Sequence, residues 1–165
     1  MSAFVVDTNV PVVANGRSEQ ADPDCVLACI GKLEEITSGG VVVLDDGMRI
    51  LDEYMNNLSM SGQPGAGDGF MKWVWQNQAV TERCERVRIQ PRREDDHDFE
   101  EFPRDPALAG FDRDDRKFVA VALASSGDPV VLNAVDPGWW THRDALHKHG
   151  VRLTFLCPQC IQAGV

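Results

Sequence analysis

The chain has 165 residues, of which 43% are hydrophobic and 25% charged, so one globular domain is expected and a wholly disordered, collagen-like or coiled-coil chain is excluded. A formal net charge of −10 argues against a protein that holds nucleic acid through a basic surface alone. Because no apolar run is long enough to span a membrane and no signal-peptide pattern is present, we expect a cytoplasmic protein without membrane contact.

Short apolar runs alternate with helical patterns along the chain. Helices are predicted to begin near Pro23, Met48, Asp68, Asp112 and Trp139. Strands that alternate with helices form βαβ units with helices on both faces of the sheet. The sequence therefore predicts a single α/β domain over residues 1–165, a three-layer α/β/α sandwich with a mainly parallel central sheet. The predicted strands are residues 3–6, 41–44, 87–89, 130–132 and 151–155.

Much of the negative charge lies in one segment. Seven acidic residues and one basic residue occur between Glu94 and Asp105, which leaves 19 acidic and 15 basic residues elsewhere. The stretch from Glu94 to Pro106 has two prolines and no apolar period. Residues 94–106 are therefore predicted to form a flexible, solvated acidic loop, which could also regulate access or bind a partner.

The five cysteines form no regular framework, and we expect buried, reduced thiols. Cys157 and Cys160 have the spacing of a zinc knuckle. We expect no second Cys or His pair of matching spacing, so a zinc site would need Cys84 or a second chain. Residues 157–165 are predicted to form a short C-terminal tail.

Acidic residues follow the predicted strands or begin the predicted helices. Asp7 ends the first strand, Glu53 lies on the helix after the second, Asp136 follows the fourth, and Asp115 begins the most buried helix. In an open α/β sheet, ligands bind beyond the carboxyl ends of the strands. Any one of these aspartates alone is better explained as a cap or turn residue, but together they predict one converging site.

Converging carboxylates repel one another unless a cation lies between them. Their all-oxygen chemistry favours Mg²⁺ or Mn²⁺ over zinc. Such an ion can align a water for attack on a phosphodiester and neutralise the leaving oxygen. The carboxylates therefore predict phosphodiester hydrolysis.

Four segments resemble those of PIN-domain ribonucleases. Residues 4–10 (Phe-Val-Val-Asp-Thr-Asn-Val) resemble the family's opening strand, residues 50–54 (Ile-Leu-Asp-Glu-Tyr) the helix with its Glu, and residues 115–123 the helix that begins with its third acid. Asp136 matches the fourth acid. Asn133 departs from the pattern, since many relatives have Thr there.

The resemblance implies a metal-dependent endoribonuclease that cleaves RNA, with single-stranded RNA as the expected substrate. Asp7, Glu53 and Asp115 would hold Mg²⁺ or Mn²⁺, and Asp136 would support a second ion or the attacking water. The resemblance is also compatible with a role as the toxin of a toxin–antitoxin pair, with an antitoxin or other protein as partner, and with a homodimer. Side chains expected around the ligands are Thr8, Asn9, Asp112, Asp114 and Asn133, and those expected to contact RNA are Arg83, Arg86, Arg88, Arg116 and Lys117.

The three acids before the buried helix cannot all have the same role. Helical periodicity places Asp115 on the same side as Phe118 and Ala122, facing the core. Either Asp112 or Asp114 is then expected to cap the first turn.

Two other functions remain open. The chain could be a PIN-like binding or effector module with weak or no nuclease activity. A phosphotransfer receiver domain also uses aspartates at strand ends, but it would need a Lys after a late strand, where this sequence has none.

Overall fold

A parallel sheet of five strands forms the centre of the molecule. The computed structural model describes residues 2–163, with side chains through Ile161. The strand order is β3-β2-β1-β6-β7, and every neighbouring pair is parallel. The hairpin of β4 and β5 is antiparallel and separate. The strands are β1 (Ala3–Val6), β2 (Val41–Asp45), β3 (Cys84–Val87), β4 (Pro91–Arg92), β5 (Asp95–Phe99), β6 (Val130–Asn133) and β7 (Arg152–Phe155).

Helices flank the sheet, and the predicted α/β fold with a parallel central sheet is confirmed. Helices α1, α2 and α4 pack on one another, while α5 packs on β1, β2 and β6. Short 3-10 helices span Pro106–Leu108 and Arg113–Asp115. The α-helices are α1 (Asn9–Ala14), α2 (Pro23–Gly39), α3 (Arg49–Asn57), α4 (Ala66–Asn77), α5 (Arg116–Ala124), α6 (Pro137–Thr141), α7 (Arg143–Lys148) and α8 (Pro158–Ala163).

The inner strands are continuous apolar runs because helices cover both of their faces. The side chains of Val5, Val43 and Val131 are fully buried, and Val5 lies opposite Val131 in the ladder between β1 and β6. This arrangement places the carboxyl ends of β1 and β6 side by side. The residues that follow these two strands are therefore neighbours in space.

Several observed elements differ from the predicted ones. The third strand is residues 84–87 rather than 87–89, because Cys84 to Val87 pair with β2. The last predicted helix is divided into α6 and α7 at His142, whose φ of −98° and ψ of 8° depart from helical values. Helix α1 was not predicted.

Residues 94–106 are not a loop along their whole length, contrary to the prediction. They contain β5 and end at the first residue of the 3-10 helix Pro106–Leu108, and Phe99 and Phe102 are buried. The carboxylate of Asp98 lies 3.1 Å from Arg92 Nε and 3.2 Å from Arg116 Nη1. Arginine side chains thus balance part of the acidic charge, which allows the segment to pack against α5.

The cysteines also differ from the prediction of reduced thiols. Cys25 in α2 and Cys157 after β7 form a disulfide bond. The predicted tail contains α8, and Cys157 is fully buried. The disulfide bond therefore links the C-terminal segment to helix α2.

No helix within residues 2–163 is both long enough and apolar enough to cross a bilayer.

Candidate active site

Four acidic side chains meet at the carboxyl edge of the sheet. Asp7 follows β1, Asp136 follows β6, Glu53 lies on α3 and Asp115 begins α5. The pKa of Asp115 is raised to about 9, first by burial and then by the charges of Asp7, Asp136, Asp112 and Glu53. The acids that the sequence singled out therefore lie within electrostatic reach of one another.

Asp7 is the most deeply buried of the four, with 4% of its surface exposed. Its Oδ1 accepts a hydrogen bond from the backbone N–H of Asn9 at 2.9 Å, and its Oδ2 accepts one from Trp139 Nε1 at 3.0 Å. Burial and the charges of Glu53 and Asp136 outweigh these two donors and raise the pKa of Asp7 to about 7. The carboxylate is thus fixed in orientation but costly to ionise without a cation.

Glu53 is held by partners on both carboxylate oxygens. Thr8 Oγ1 donates to Oε2, and Lys117 Nζ lies 2.7 Å from Oε1. Lys117 also donates to the backbone carbonyl of Asp114. A lysine predicted to contact RNA therefore lies inside the acidic cluster, where its ammonium group pairs with Glu53.

The three acids before α5 have separate roles. Asp112 Oδ1 accepts a hydrogen bond from the backbone N–H of Asp114 at 2.9 Å and caps the 3-10 helix that leads into α5. The exposed Asp114 carboxylate lies 3.7 Å from His97 Nδ1. Asp115 is the one of the three that is partly buried next to Asp7.

Two asparagines hold the ends of β1 and β6 together. Asn9 Oδ1 accepts a hydrogen bond from the backbone N–H of Ala134 at 2.8 Å, and Asn133 Oδ1 accepts one from the N–H of Asp136 at 3.0 Å. Asp136 Oδ1 in turn accepts from Gly138 N–H at 2.8 Å and begins α6. These contacts set the positions of Asp7 and Asp136 relative to each other.

A buried acid at the end of β2 illustrates the purely structural use of a carboxylate. Asp45 accepts hydrogen bonds from the backbone N–H groups of Arg49 at 3.0 Å and Ile50 at 2.9 Å, and so caps α3. The four acids of the cluster differ from Asp45 because they lie next to one another.

The donor set of the cluster fits a hydrated Mg²⁺ or Mn²⁺ ion. All its ligands are oxygen atoms, which these hard cations prefer. Among the described side chains, no three carboxylates bring oxygens within 4.8 Å of one another. Three of these carboxylates would therefore reach a single ion only through bridging waters or after movement of their side chains.

The arginines predicted to contact RNA are divided between different surroundings. Arg83 precedes β3 and so lies at the amino ends of the parallel strands, opposite to the acids. Arg86 is exposed on β3 itself. Arg88 follows β3 and lies at the carboxyl ends of the strands, like the acids. Arg116 is held internally by Asp98 and by the carbonyl of Phe111 at 3.1 Å. Arg88 is therefore the best placed of the four arginines.

A small pocket of about 220 Å³ adjoins the cluster. Arg49, Arg113 and Lys117 contribute positive charge to its lining, and Asp52, Asp96 and Asp114 contribute negative charge. These basic and acidic side chains of the lining are therefore equal in number.

Sequence analysis missed Trp139 and Tyr54 as members of this site. The indole of Trp139 is fully buried and donates to Asp7, and the hydroxyl of the buried Tyr54 donates to the carbonyl of Val6. Both side chains carry one polar group on a large apolar body. No local pattern distinguishes such residues from ordinary core aromatics.

Comparison with known proteins identifies no relative: no family model, curated protein or solved structure matches the chain.

Proposed function

We propose that this protein is a metal-dependent nuclease that hydrolyses phosphodiester bonds of RNA, with Mg²⁺ or Mn²⁺ as its cofactor. The observation that carries the proposal is the meeting of Asp7, Glu53, Asp115 and Asp136 at the carboxyl edge of the sheet, with the pKa of Asp7 and of Asp115 raised to about 7 and about 9. Perturbed titratable groups grouped in this way are typical of functional sites.

Asp7, Glu53 and Asp115 are the proposed metal ligands, with Asp136 beside them. A bound ion would supply an activated water and neutralise charge on the leaving oxygen. Asp7 is kept in position for this role by Trp139 and the backbone of Asn9.

Lys117 has a second proposed role in the cluster. Its ammonium group neutralises Glu53 in the described structure. When a cation binds near Glu53, Lys117 can turn toward a non-bridging phosphate oxygen of the substrate, as a point charge does in many phosphate sites. This would help to hold the phosphodiester over the acids.

The choice of single-stranded RNA depends on the resemblance of residues 4–10, 50–54 and 115–123 to PIN-domain ribonucleases. A toxin role with an antitoxin partner and a homodimer follow from the same resemblance, while a cytoplasmic location follows from the composition of the sequence; all three are part of this proposal.

A binding or effector module without turnover is the second candidate. The Glu53–Lys117 ion pair favours it, because Lys117 already supplies the positive charge that Glu53 would otherwise obtain from a metal. Such a module would bind RNA or a protein through the same edge and leave the bound chain intact.

The test is cleavage of a fluorescent single-stranded RNA in Mn²⁺, in Mg²⁺ and in EDTA. We expect metal-dependent cleavage by the parent protein and a loss of at least about 100-fold in Asp7→Asn, since metal-site catalysis supplies several kcal/mol. The matched control is Asp46→Asn, an exposed acid after β2, which should cleave at the parental rate. Binding of intact RNA without metal-dependent cleavage would support the second candidate instead.

A further inference from the structure

A group of cysteines lies away from the acidic cluster, where α2 meets the C-terminal segment. Cys25 and Cys29 are four residues apart on α2, and both are fully buried. Residues at i and i+4 share one face of a helix. Cys157 and Cys160 come from the other end of the chain, at the beginning of α8.

The sulfur atoms of this group are close together. The Sγ atoms of Cys25, Cys29 and Cys157 all lie within 4.8 Å of one another. Cys160 is half-buried, and its charge adds to the effect of burial in raising the pKa of Cys29 to about 12. Three cysteines thus converge from positions up to 132 residues apart in sequence, and Cys160 lies one turn beyond Cys157, with its backbone N–H donating to the Cys157 carbonyl at 3.0 Å.

The spacing of both pairs is that of a zinc site. Structural zinc sites use four ligands, commonly in pairs separated by two to four residues, with Zn–S distances of about 2.3 Å. Cys25 and Cys29 are separated by three residues, and Cys157 and Cys160 by two. The expectation that no second pair matches the knuckle was therefore wrong, because Cys25 and Cys29 qualify and the fold brings them to Cys157.

A single disulfide does not account for the whole group. The bond between Cys25 and Cys157 leaves Cys29 and Cys160 as thiols beside it. A buried thiol in an apolar setting resists ionisation, and a divalent cation is what stabilises several neighbouring thiolates. In a reducing compartment the disulfide would open and all four sulfurs would be available.

We propose that the reduced chain binds one Zn²⁺ ion through Cys25, Cys29, Cys157 and Cys160, a structural site that joins α2 to the C-terminal segment. A phosphine or dithiol reductant first donates two electrons to the Cys25–Cys157 disulfide and yields two thiols. The four thiols then release their protons as the zinc–sulfur bonds form. Because no coordination position remains for water, the site serves folding rather than hydrolysis.

The test begins with protein reduced by a phosphine, freed of metal and kept without oxygen. Zn²⁺ is titrated and its stoichiometry is read by native mass spectrometry, and Co²⁺ is titrated to detect the visible absorption of a tetrahedral thiolate site. Asp7→Asn/Asp115→Asn protein serves as the background, so that the acidic cluster does not contribute. We expect one ion per chain, the cobalt–thiolate spectrum, a higher Tm with Zn²⁺, and slower alkylation of the half-buried Cys160 when Zn²⁺ is bound.

Variants separate the site from adventitious binding. Cys160→Ser should weaken Zn²⁺ binding by at least about tenfold, because even an outer partner of a metal ligand is worth about 10- to 100-fold. The matched control is Cys84→Ala, a buried cysteine on β3 outside the group, which should bind Zn²⁺ like the parent.

Three results would overturn the proposal. These are unchanged Zn²⁺ binding in Cys160→Ser, the absence of thiolate absorption with Co²⁺, and purified protein that contains iron at these cysteines in place of zinc. Should Cys160→Ser fail to fold, alkylation of Cys160 in the parent with and without Zn²⁺ decides the question, because equal reactivity of Cys160 in the two conditions would exclude the site.

Discussion

The indole Nε1 of Trp139 donates a hydrogen bond to Oδ2 of Asp7 at 3.0 Å, across 132 positions of sequence. The bond connects the beginning of α6 to the end of β1 and fixes the orientation of the most buried carboxylate in the acidic cluster. Its strength depends on the charge of Asp7, because hydrogen bonds to ionised groups are about twice as strong as neutral ones.

Trp139→Phe should therefore destabilise the metal-free protein more at high pH than at low pH. With the pKa of Asp7 near 7, the bond is charged at about pH 8.5 and contributes about 1.5–3 kcal/mol, but it is neutral at about pH 5 and contributes about 0.5–1.5 kcal/mol. Urea unfolding in EDTA at the two pH values measures the difference. In an Asp7→Asn background, Trp139→Phe should lower the free energy of unfolding equally at the two pH values. An equal loss at both pH values in the parent background would mean that Trp139 acts through packing alone.

Asp115→Asn and Asp112→Ala should have opposite effects on activity and stability. Asp115→Asn removes a carboxylate that burial and neighbouring acids make costly to ionise, so we expect loss of metal-dependent cleavage with unchanged or higher Tm. Asp112→Ala removes the hydrogen bond to Asp114 N–H and should cost about 0.5–2 kcal/mol while retaining partial activity. Thermal unfolding and RNA cleavage in Mn²⁺ measure both effects, and full activity in Asp115→Asn would contradict the assignment of this ligand.

The metal-free protein should lose stability as pH rises. Asp7 and Asp115 have pKa values of about 7 and about 9 in the folded protein, against 3.8 for an ordinary aspartate. The folded state therefore holds more protons than the unfolded state between about pH 3.8 and about pH 9. The free energy of unfolding then falls as pH increases through this window.

A divalent cation should reverse this loss because it replaces the missing protons. We expect Mn²⁺ to raise Tm more at about pH 8.5 than at about pH 5, with about 2–4 °C for each kcal/mol in a chain of this size. Scanning calorimetry with Mn²⁺ or EDTA measures the shift. The Asp7→Asn/Asp115→Asn protein is the control, and a Mn²⁺ shift of the same size in that variant would place the ion elsewhere.

Asp98 should contribute more to stability than its surface position suggests. It pairs with both Arg92 and Arg116, and the side chain of Arg92 is only 6% exposed. Removal of one partner from a fully buried charge pair costs about 3–5 kcal/mol, but Arg92 keeps Glu100 at 3.3 Å and the Phe102 carbonyl at 2.9 Å, so we expect about 1–3 kcal/mol for Asp98→Ala. Glu94→Ala, at an exposed position of the same hairpin, should change stability by less than about 0.5 kcal/mol in chemical unfolding. Equal losses in the two variants would show that the ion pairs do not hold the hairpin.

The exposed acids of the hairpin should repel RNA. Glu94 and Asp96 are exposed, and Asp96 lies at the pocket beside Lys117. Glu94→Gln/Asp96→Asn should bind single-stranded RNA more tightly at low salt, and the gain should disappear at high salt as the charges are screened. Fluorescence anisotropy at several salt concentrations measures the effect. Weaker binding of the neutral variant at low salt would indicate that these acids assist RNA binding instead of screening it.

Local patterns in the sequence determine most of the regular framework of this protein. The apolar runs at residues 3–6 and 41–44 predicted buried strands, and both form strands; the Asp22-Pro23 cap begins α2 where predicted. These signals arise within a few residues and need no knowledge of the fold. The alternation of strands and helices then implies a parallel sheet, and with it the edge at which the acids lie.

The tertiary structure alone decided the features that depend on distant partners. Arg92 and Arg116 form ion pairs with Asp98 of the acidic segment. Trp139 donates a hydrogen bond to Asp7, and the sulfur atoms of Cys25 and Cys29 lie close to that of Cys157. Each of these contacts joins side chains from separate elements, and its energy depends on burial and distance, which no local pattern encodes. For this reason the charged run was predicted to be a solvated loop, and Cys25 and Cys29 were not identified as a pair that could match Cys157 and Cys160.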